Sequence, residues 1–376
     1  MLMDKDVAEL LSRGVSEVID REHLEQRLRS GEKLRVKLGI DPTSPNIHIG
    51  RAVLLWKLRA FQDLGHTAVF IVGDATGIVG DASDKETERP MLTHEQVKAN
   101  MEGYFDQAFK ILDRQKTETH YNSEWLSKLG FEELARMANL FGLHEFSSRE
   151  VIARRMKAGQ RVSFHELLYP LMQGYDSVAV KADVELGGTD QRFNLLTGRR
   201  IQPMYKQEPQ DILMTDLLEG VDGRKMSSSW GNVINIVDEP SDMYGKVMSV
   251  KDELMKKYFA LCTRVPLAEV EEALKAHPKD AKMRLAFEIT KLYHNEAAAR
   301  EAQENFENTF SKGGIPEDIK TVRIKKDAVL RDVLIEHGLV SSKSEFNRLE
   351  KEGAVKELSG GVYRIGKHRF IKVVRE

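Results

Sequence analysis

Two short stretches hold residues whose types and spacing suit phosphate chemistry. The first, KLGIDPTSPNIHIG (37–50), runs an apolar segment into Asp41-Pro42, crosses a polar loop, and sets His48 and Gly50 at the mouth of an amphipathic run. A helix N-terminus offers unpaired backbone N–H groups and the positive end of a dipole, so it favours an anion. His48 can donate to a phosphate oxygen, and Gly50 lets flat ligand atoms lie against the backbone. A histidine bonded only to its own loop is the competing reading. The second stretch, GRKMSSSWGN (223–232), places Lys225 ahead of Met226 and three serines between glycines. That is the pattern of a mobile loop carrying a lysine toward phosphate. Better-known nucleotide signatures are missing. The glycines of GDATGIVGD are spaced G-x-x-x-G-x-x-G, and no G-x-x-x-x-G-K-[ST] occurs, which disfavours a dinucleotide dehydrogenase and a P-loop ATPase. SFHELLYP begins like a zinc-peptidase motif but lacks the second histidine, so a structural role is expected for it.

The elements that must position these residues are readable from hydropathy. Arg35–Ile40 reads as a buried strand, 47–64 as a helix ending at Gly65, and Thr67–Val72 as a second buried strand entering GDATGIVGDAS. Strand, helix and strand with short connections predict a right-handed parallel crossover and a Rossmann-like, doubly wound α/β sheet. The carboxyl ends of its strands would form the ligand crevice. Helical periodicity dominates 93–176, with Ser123-Glu124-Trp125 opening one segment. VAVKADVELGG reads as a strand-like pair, and DILMTDLL as a further short apolar run. The pattern is helical over 241–312, closing with one long charged helix over 280–310. Residues 325–376 read as two helices, a turn and short strands at Val362–Ile365 and Phe370–Val374. The expected organisation is a catalytic domain over 1–240 with an inserted helical segment, a helical domain over 241–312, a linker over 313–324 around KGGIPED, and a small α+β domain over 325–376.

At 376 residues, with 41% hydrophobic and 31% charged, the chain is sized for two or three globular domains. No apolar run approaches the roughly 18 residues of a membrane span, and MLMDKDVAELLSRG is unlike a signal peptide. A cytoplasmic location is expected. The single cysteine, Cys262, excludes an internal disulfide framework and any multi-cysteine metal site. Net charge is −2, yet residues 321–376 hold 13 Lys/Arg against 8 Asp/Glu, a local +5 that leaves −7 for the first 320. A basic tail on an acidic body suggests a polyanion partner.

HIG and KMSSS, in that order and separated by most of a nucleotide-binding domain, resemble the two signature motifs of class I aminoacyl-tRNA synthetases. KLGIDPTSPNIHIG, GDATGIVGDAS, LLYPLMQGYDS, ELGGTDQRFN and DGRKMSSS together resemble the active-site blocks of the tyrosyl-tRNA synthetase family, from about residue 33 onward. SSKSEFNRLEKEGAVKELSGG resembles the small ribosomal-protein-type RNA-binding domain that ends many bacterial members. The resemblance implies ATP, L-tyrosine and tRNA(Tyr) as substrates, Mg²⁺ accompanying ATP without a dedicated protein site, and a homodimer with contacts between about Trp125 and Arg155.

It also implies roles. His48, Lys225 and Thr43 match stabilisers of the phosphates; Asp41 and Gly50 match groups beside the adenylate; Gly188 and Asp190 match ribose contacts, and Leu217 and Leu218 the wall near adenine. Asp81, Tyr169 and Gln173 match binders of the tyrosine ammonium, Gln191 a polar neighbour, and Asp176 the acceptor of the phenolic hydrogen. Tyr169, Gln173 and Asp176, spaced by four and three, fall on one helix face. In the tail, Lys343, Arg348, Lys351 and Lys356 are the cations expected near RNA phosphates. Three positions depart from the family pattern. Arg51 replaces the usual second histidine of the first motif, Ser228 the second lysine of the later one, and Lys37, counted with the tyrosine-binding groups, a strand tyrosine that contacts the substrate hydroxyl. Arg51 would compensate in part for the cation lost at Ser228. The rival readings are a tryptophanyl-tRNA synthetase, disfavoured by GGTDQ, QGYD and the tail, and a non-catalytic RNA-binding relative.

Overall fold

β1 (Val15–Ile19), β2 (Arg35–Ile40), β3 (Thr67–Val72), β4 (Thr117–Tyr121), β5 (Val184–Gly188) and β6 (Asp211–Thr215) form one sheet in the order β1-β6-β5-β2-β3-β4. The computed structural model describes residues 4–83, 91–311, 319–324, 328–366 and 369–375. β2 to β6 are mutually parallel, and β1 closes one edge antiparallel to β6. β5 and β6 are buried along their whole length, as a parallel strand covered on both faces must be. Their near-continuous apolar sequences follow from that burial. β2 and β3 match the predicted bounds, and the helix between them runs Ile49–Asp63.

Three local readings are corrected. β4 lies inside the stretch that reads as helical; TETHY is a half-exposed edge strand whose polar residues hide its β-branched content. Val178 to Val180 belong to the end of the Phe164–Val180 helix, so VAVKADVELGG holds one strand rather than two. The long charged helix is broken at His294 into Pro278–Tyr293 and Glu296–Ser311. There the Asn295 side chain accepts the Ala298 N–H at 2.9 Å, capping the second segment.

A single apolar core joins the sheet to the helices beyond residue 240. Leu10, Leu55 and Phe61 pack in the same cluster as Tyr244, Tyr258, Phe259 and Ile289. The tail has a core of its own, built from Leu334, Val340, Phe346, Leu349, Ile365, Ile371 and Val373. Its strands β7 (Thr321–Ile324), β8 (Val355–Glu357), β9 (Val362–Ile365) and β10 (Arg369–Arg375) are ordered β7-β10-β9-β8. β7 pairs parallel with β10, so the small sheet starts within the segment read as a linker. Residues 313–318 of that segment lie outside the described residues.

Candidate active site

A cavity of about 730 Å³ opens at the carboxyl ends of the parallel strands. β2 leads into Asp41, β3 into Gly73, β4 into Asn122, β5 into Gly188 and Asp190, and β6 into Leu217, and all of these line it. The cavity thus spans the point where the chain, having run from β2 to β3 and β4, returns to the other side of β2 as β5. A ligand crevice is expected at such a switch point. Every site residue expected in the body lines it except Lys37.

One end of the cavity is cationic. His48 caps the Ile49–Asp63 helix, with Nδ1 accepting the Arg51 N–H at 3.3 Å. An accepting Nδ1 places the ring proton on Nε2. Burial, with Arg51 and Lys225 adding to it, pushes His48 down to about 3, so the imidazole is a neutral donor at physiological pH. Gly50 faces the same corner: a Cβ there would meet His48 Nδ1 at 3.0 Å and Met226 Sδ at 3.4 Å. Arg51 donates to the Thr43 hydroxyl at 2.7 Å and to the Tyr104 hydroxyl at 2.6 Å. The departure at this position therefore stands inside the same cationic corner as His48. Ser228 meets Ser44 at 3.0 Å, tying the lysine loop to the loop of the first motif. Lys225 Nζ donates to Asp190 Oδ2 at 2.6 Å, and Asn232 braces that loop through the Ser227 N–H and the Lys225 carbonyl. Leu217 lines the cavity half-buried, whereas Leu218 is also part of the main core. At Gly188 a Cβ would strike Asp190 Oδ1 at 2.6 Å and Leu217 Cδ2 at 2.8 Å.

The other end is buried, acidic and densely bonded. Asp41 accepts from Thr76 at 2.7 Å and from Tyr169 at 2.8 Å. A Cβ on Gly73 would lie 2.2 Å from Asp41 Oδ1, so this carboxylate needs the glycine beside it. Asp81 accepts from Gln191 at 2.7 Å and from Ser83 at 2.7 Å. Asp176 accepts the Trp125 indole N–H at 2.7 Å and the Asn122 amide at 3.2 Å. Burial pushes Asp176 up to about 7, against the pull of Lys37 and these two donors. Tyr169, buried among Asp41, Asp81 and Asp176, is held well above its ordinary value.

Lys37 corrects the expectation of direct contact. It is fully buried beneath the cavity, with Nζ bonded to Glu185 at 2.8 Å, Ser177 Oγ at 2.8 Å and the Gln173 carbonyl at 2.9 Å. Sequence reasoning missed Thr76, Tyr104, Asn122, Trp125 and Glu185. Of these only Asn122, directly after β4, had a local signal: the β-branched alternation of TETHY. The HELLYP glutamate is structural, since Glu166 is buried on Arg155 at 2.6 Å. Among the described residues, Asp20, His23 and Asp211 have metal-ligand spacing. They sit at the opposite, amino end of β6, with Arg27 and Arg199 within 3.8 Å of Asp211. In the tail, Lys343, Arg348 and Lys351 share the Lys343–Lys351 helix and Lys356 lies on β8, all four exposed.

Comparison with known proteins gives the family. The family described as tRNA synthetases class I (W and Y) matches residues 29–311. The tyrosine–tRNA ligase of Nitratidesulfovibrio vulgaris is 46% identical over 97% of both chains. That of Thermotoga maritima is 46% identical over 93% of this chain and 89% of its own. Among solved structures, a tyrosyl-tRNA synthetase from Archaeoglobus fulgidus complexed with L-tyrosine superposes with a TM-score of 0.64 at 23% identity. It covers 80% of this chain and 99% of that one. No described helix is long and apolar enough to cross a membrane. The chain belongs to the class I tRNA synthetase family of the W and Y enzymes, among its tyrosine–tRNA ligases.

Proposed function

We propose that the two ends of the cavity divide the ligase reaction between them. Tyrosine lies at the acidic end, its phenol on Asp176 and its ammonium among Asp81, Tyr169 and Gln173, with Gln191 beside them. ATP lies at the cationic end, adenine against Gly50, Leu217 and Leu218, ribose on Gly188 and Asp190. Asp41 then stands beside the adenylate. The observation that carries this reading is one cavity joining a buried carboxylate at one wall to a helix mouth with His48, Arg51 and Lys225 at the other. A tyrosine carboxylate oxygen bonds to the α-phosphorus as the bond to pyrophosphate breaks. No general base is needed, because that carboxylate is already ionised. Thr43, His48, Arg51 and Lys225 act by position and charge, meeting the negative charge that gathers on pyrophosphate. Lys225 must leave Asp190 to do so; ATP supplies phosphate for the lysine and ribose hydroxyls for the carboxylate. Ser228 keeps the lysine loop on the first motif without adding a charge.

In the second step a 3′-terminal hydroxyl of tRNA(Tyr) attacks the tyrosyl carbonyl, and AMP leaves. The exposed cations Lys343, Arg348, Lys351 and Lys356 bind the RNA backbone. Mg²⁺ enters on the phosphates of ATP, as that ion commonly does, and no step is assigned to it. The Asp20, His23 and Asp211 cluster, crowded by two arginines, does not fit a dication. The enzyme works as a homodimer in the cytoplasm. Four large apolar side chains, Phe131, Leu143, Met156 and Phe164, are 87%, 69%, 55% and 71% exposed within one segment. A subunit contact over this segment would take them out of water. The test is exchange of pyrophosphate into ATP with tyrosine, tryptophan or no amino acid. Exchange with tyrosine alone is expected; equal exchange with tryptophan overturns the assignment of the phenol pocket.

A further inference from the structure

Lys37 and Glu185 form an ion pair 0% and 1% exposed, directly beneath the amino-acid end of the cavity. Neither has a bond left for substrate. The three Lys37 protons go to Glu185 Oε1, Ser177 Oγ and the Gln173 carbonyl. Glu185 further accepts from Gln173 Nε2 at 3.1 Å, Ser177 Oγ at 3.1 Å and Gln210 Nε2. Gly198 leaves the room this network occupies: a Cβ there would lie 2.9 Å from Gln210 Nε2 and 3.0 Å from Ser177 Oγ. A buried ion pair gains little stability over well-packed apolar residues, so its presence here calls for another account.

The bonding supplies one. An ionised Glu185 can only accept, so the Gln173 amide must turn its nitrogen down to Glu185 and its oxygen toward the cavity. The Lys37 ammonium grips the helix at Gln173 and Ser177, on either side of Asp176. We propose that the Lys37–Glu185 pair is a positioning pair for tyrosine recognition: it presents the Gln173 oxygen to the substrate ammonium and sets the charge of Asp176 for the substrate phenol. This rests on the reading of Asp176 as the phenol acceptor. Lys37 pulls Asp176 toward ionisation and Glu185 pushes the other way. The remaining near groups, the Asn122 and Trp125 donors and the neutral Tyr169, carry no charge at working pH. Asp41 also faces this group, linked to Asp176 through Thr76 and Asn122, and Asp81 shares Tyr169 as a neighbour with both.

The experiment follows the ratio of kcat/KM for tyrosine to that for phenylalanine, from pH 5.5 to 9 by pyrophosphate exchange. Titrations common to both substrates cancel in that ratio. In the wild type the ratio falls as pH drops through about 7, where Asp176 takes up a proton. Lys37→Met should move the midpoint up by about one pH unit and Glu185→Gln should move it down by about as much, the usual size for a near charge. The double variant K37M/E185Q should return near the wild type. Glu185→Gln should also raise KM for both amino acids alike, since each carries the ammonium. If Lys37→Met fails to fold, Glu185→Gln and the double variant still decide. Midpoints that stay in place, or that move the same way in both single variants, overturn the proposal. Asp176→Asn is the control on the underlying reading: it should abolish the pH-dependent fall. A wild-type profile in that variant overturns the phenol assignment itself. Loss of the fall there, with unmoved midpoints in the pair variants, overturns the pair alone.

Discussion

At the cationic end of the cavity, where the proposed reading puts the phosphates, the donors sit on loops and at a helix mouth; His48 is buried, while Thr43, Arg51 and Lys225 are half-buried and Lys225 is held on Asp190. At the other end, Asp41 directly follows β2, Asp81 follows the short Asp74–Val79 helix, and Asp176 lies inside the Phe164–Val180 helix. There each one already accepts two or more side-chain bonds within the site. The contrast follows the chemistry. Charge on pyrophosphate appears only as the reaction proceeds, so donors that exchange partners at that moment act on the rate. The phenol and the ammonium are the same before and after activation, so rigid acceptors act on which amino acid is admitted.

Breaking the phosphate end should give the largest effect. Lys225→Ala is expected to slow adenylate formation about 10²–10³-fold, on the order of 3 kcal/mol for one lost charge-stabilising donor. The affinity for tyrosine should change little. Pre-steady-state activation measures both, and a slowing under about threefold would remove Lys225 from the rate side of the contrast. Breaking the amino-acid end should show the reverse. Asp176→Asn should cut the preference for tyrosine over phenylalanine by about 10- to 100-fold, matching the 1–3 kcal/mol of a buried acceptor's bond. The rate with saturating tyrosine should fall less than the preference does.

A finer test separates position from charge within the phosphate end. Arg51→Ala should slow activation about tenfold, by a charge-assisted bond's worth of roughly 1.4 kcal/mol. Ser228→Lys in that background should recover part of the loss, visible as non-additivity in the double-mutant cycle. Strict additivity would mean that Arg51 and position 228 serve different charges. The smallest effect on activation should come from the tail. Cutting after Lys320 removes β7 and the whole second core, yet both ends of the cavity lie in the body. Tyrosine activation and the melting temperature of the body should be retained, while tRNA charging falls sharply and tRNA binding loses part of its salt dependence. A truncated protein that charges tRNA like the full chain would take the basic tail out of RNA recognition.

Much of this contrast is legible in the sequence. The phosphate end is local: His48, Gly50 and Arg51 share one helix start, and Lys225 through Ser228 one loop. Turn residues, a helix cap and a glycine written within fourteen positions announce such a place. The amino-acid end was legible only where a helix face carries it, through Tyr169, Gln173 and Asp176. Its supporting cast was not. Trp125 and Asn122 stand 51 and 54 residues from Asp176, and no periodicity links them. β4, which delivers Asn122, is an edge strand with too little apolar content to interrupt a helical reading.

The sequence by itself determined most of the central elements and the reactive groups of the motif blocks. Apolar runs bounded by turns specify β2, β3 and β6, and the order of the motif blocks specifies which loops meet at their ends. Only the tertiary structure decided how those groups are spent. Packing of the Phe164–Val180 helix over β2 and β5 drew Lys37 away from the substrate and onto Glu185, 148 positions later in the chain. The return of the chain from β4 past β2 brought Asn122 and Trp125 onto Asp176. Arg51 came to rest on Thr43 and Tyr104 because the first-motif loop folds back over its own helix. The physical reason is range. Propensity, capping and hydropathy act over a few residues, whereas a buried charge is satisfied by whatever the fold places within about 3 Å of it.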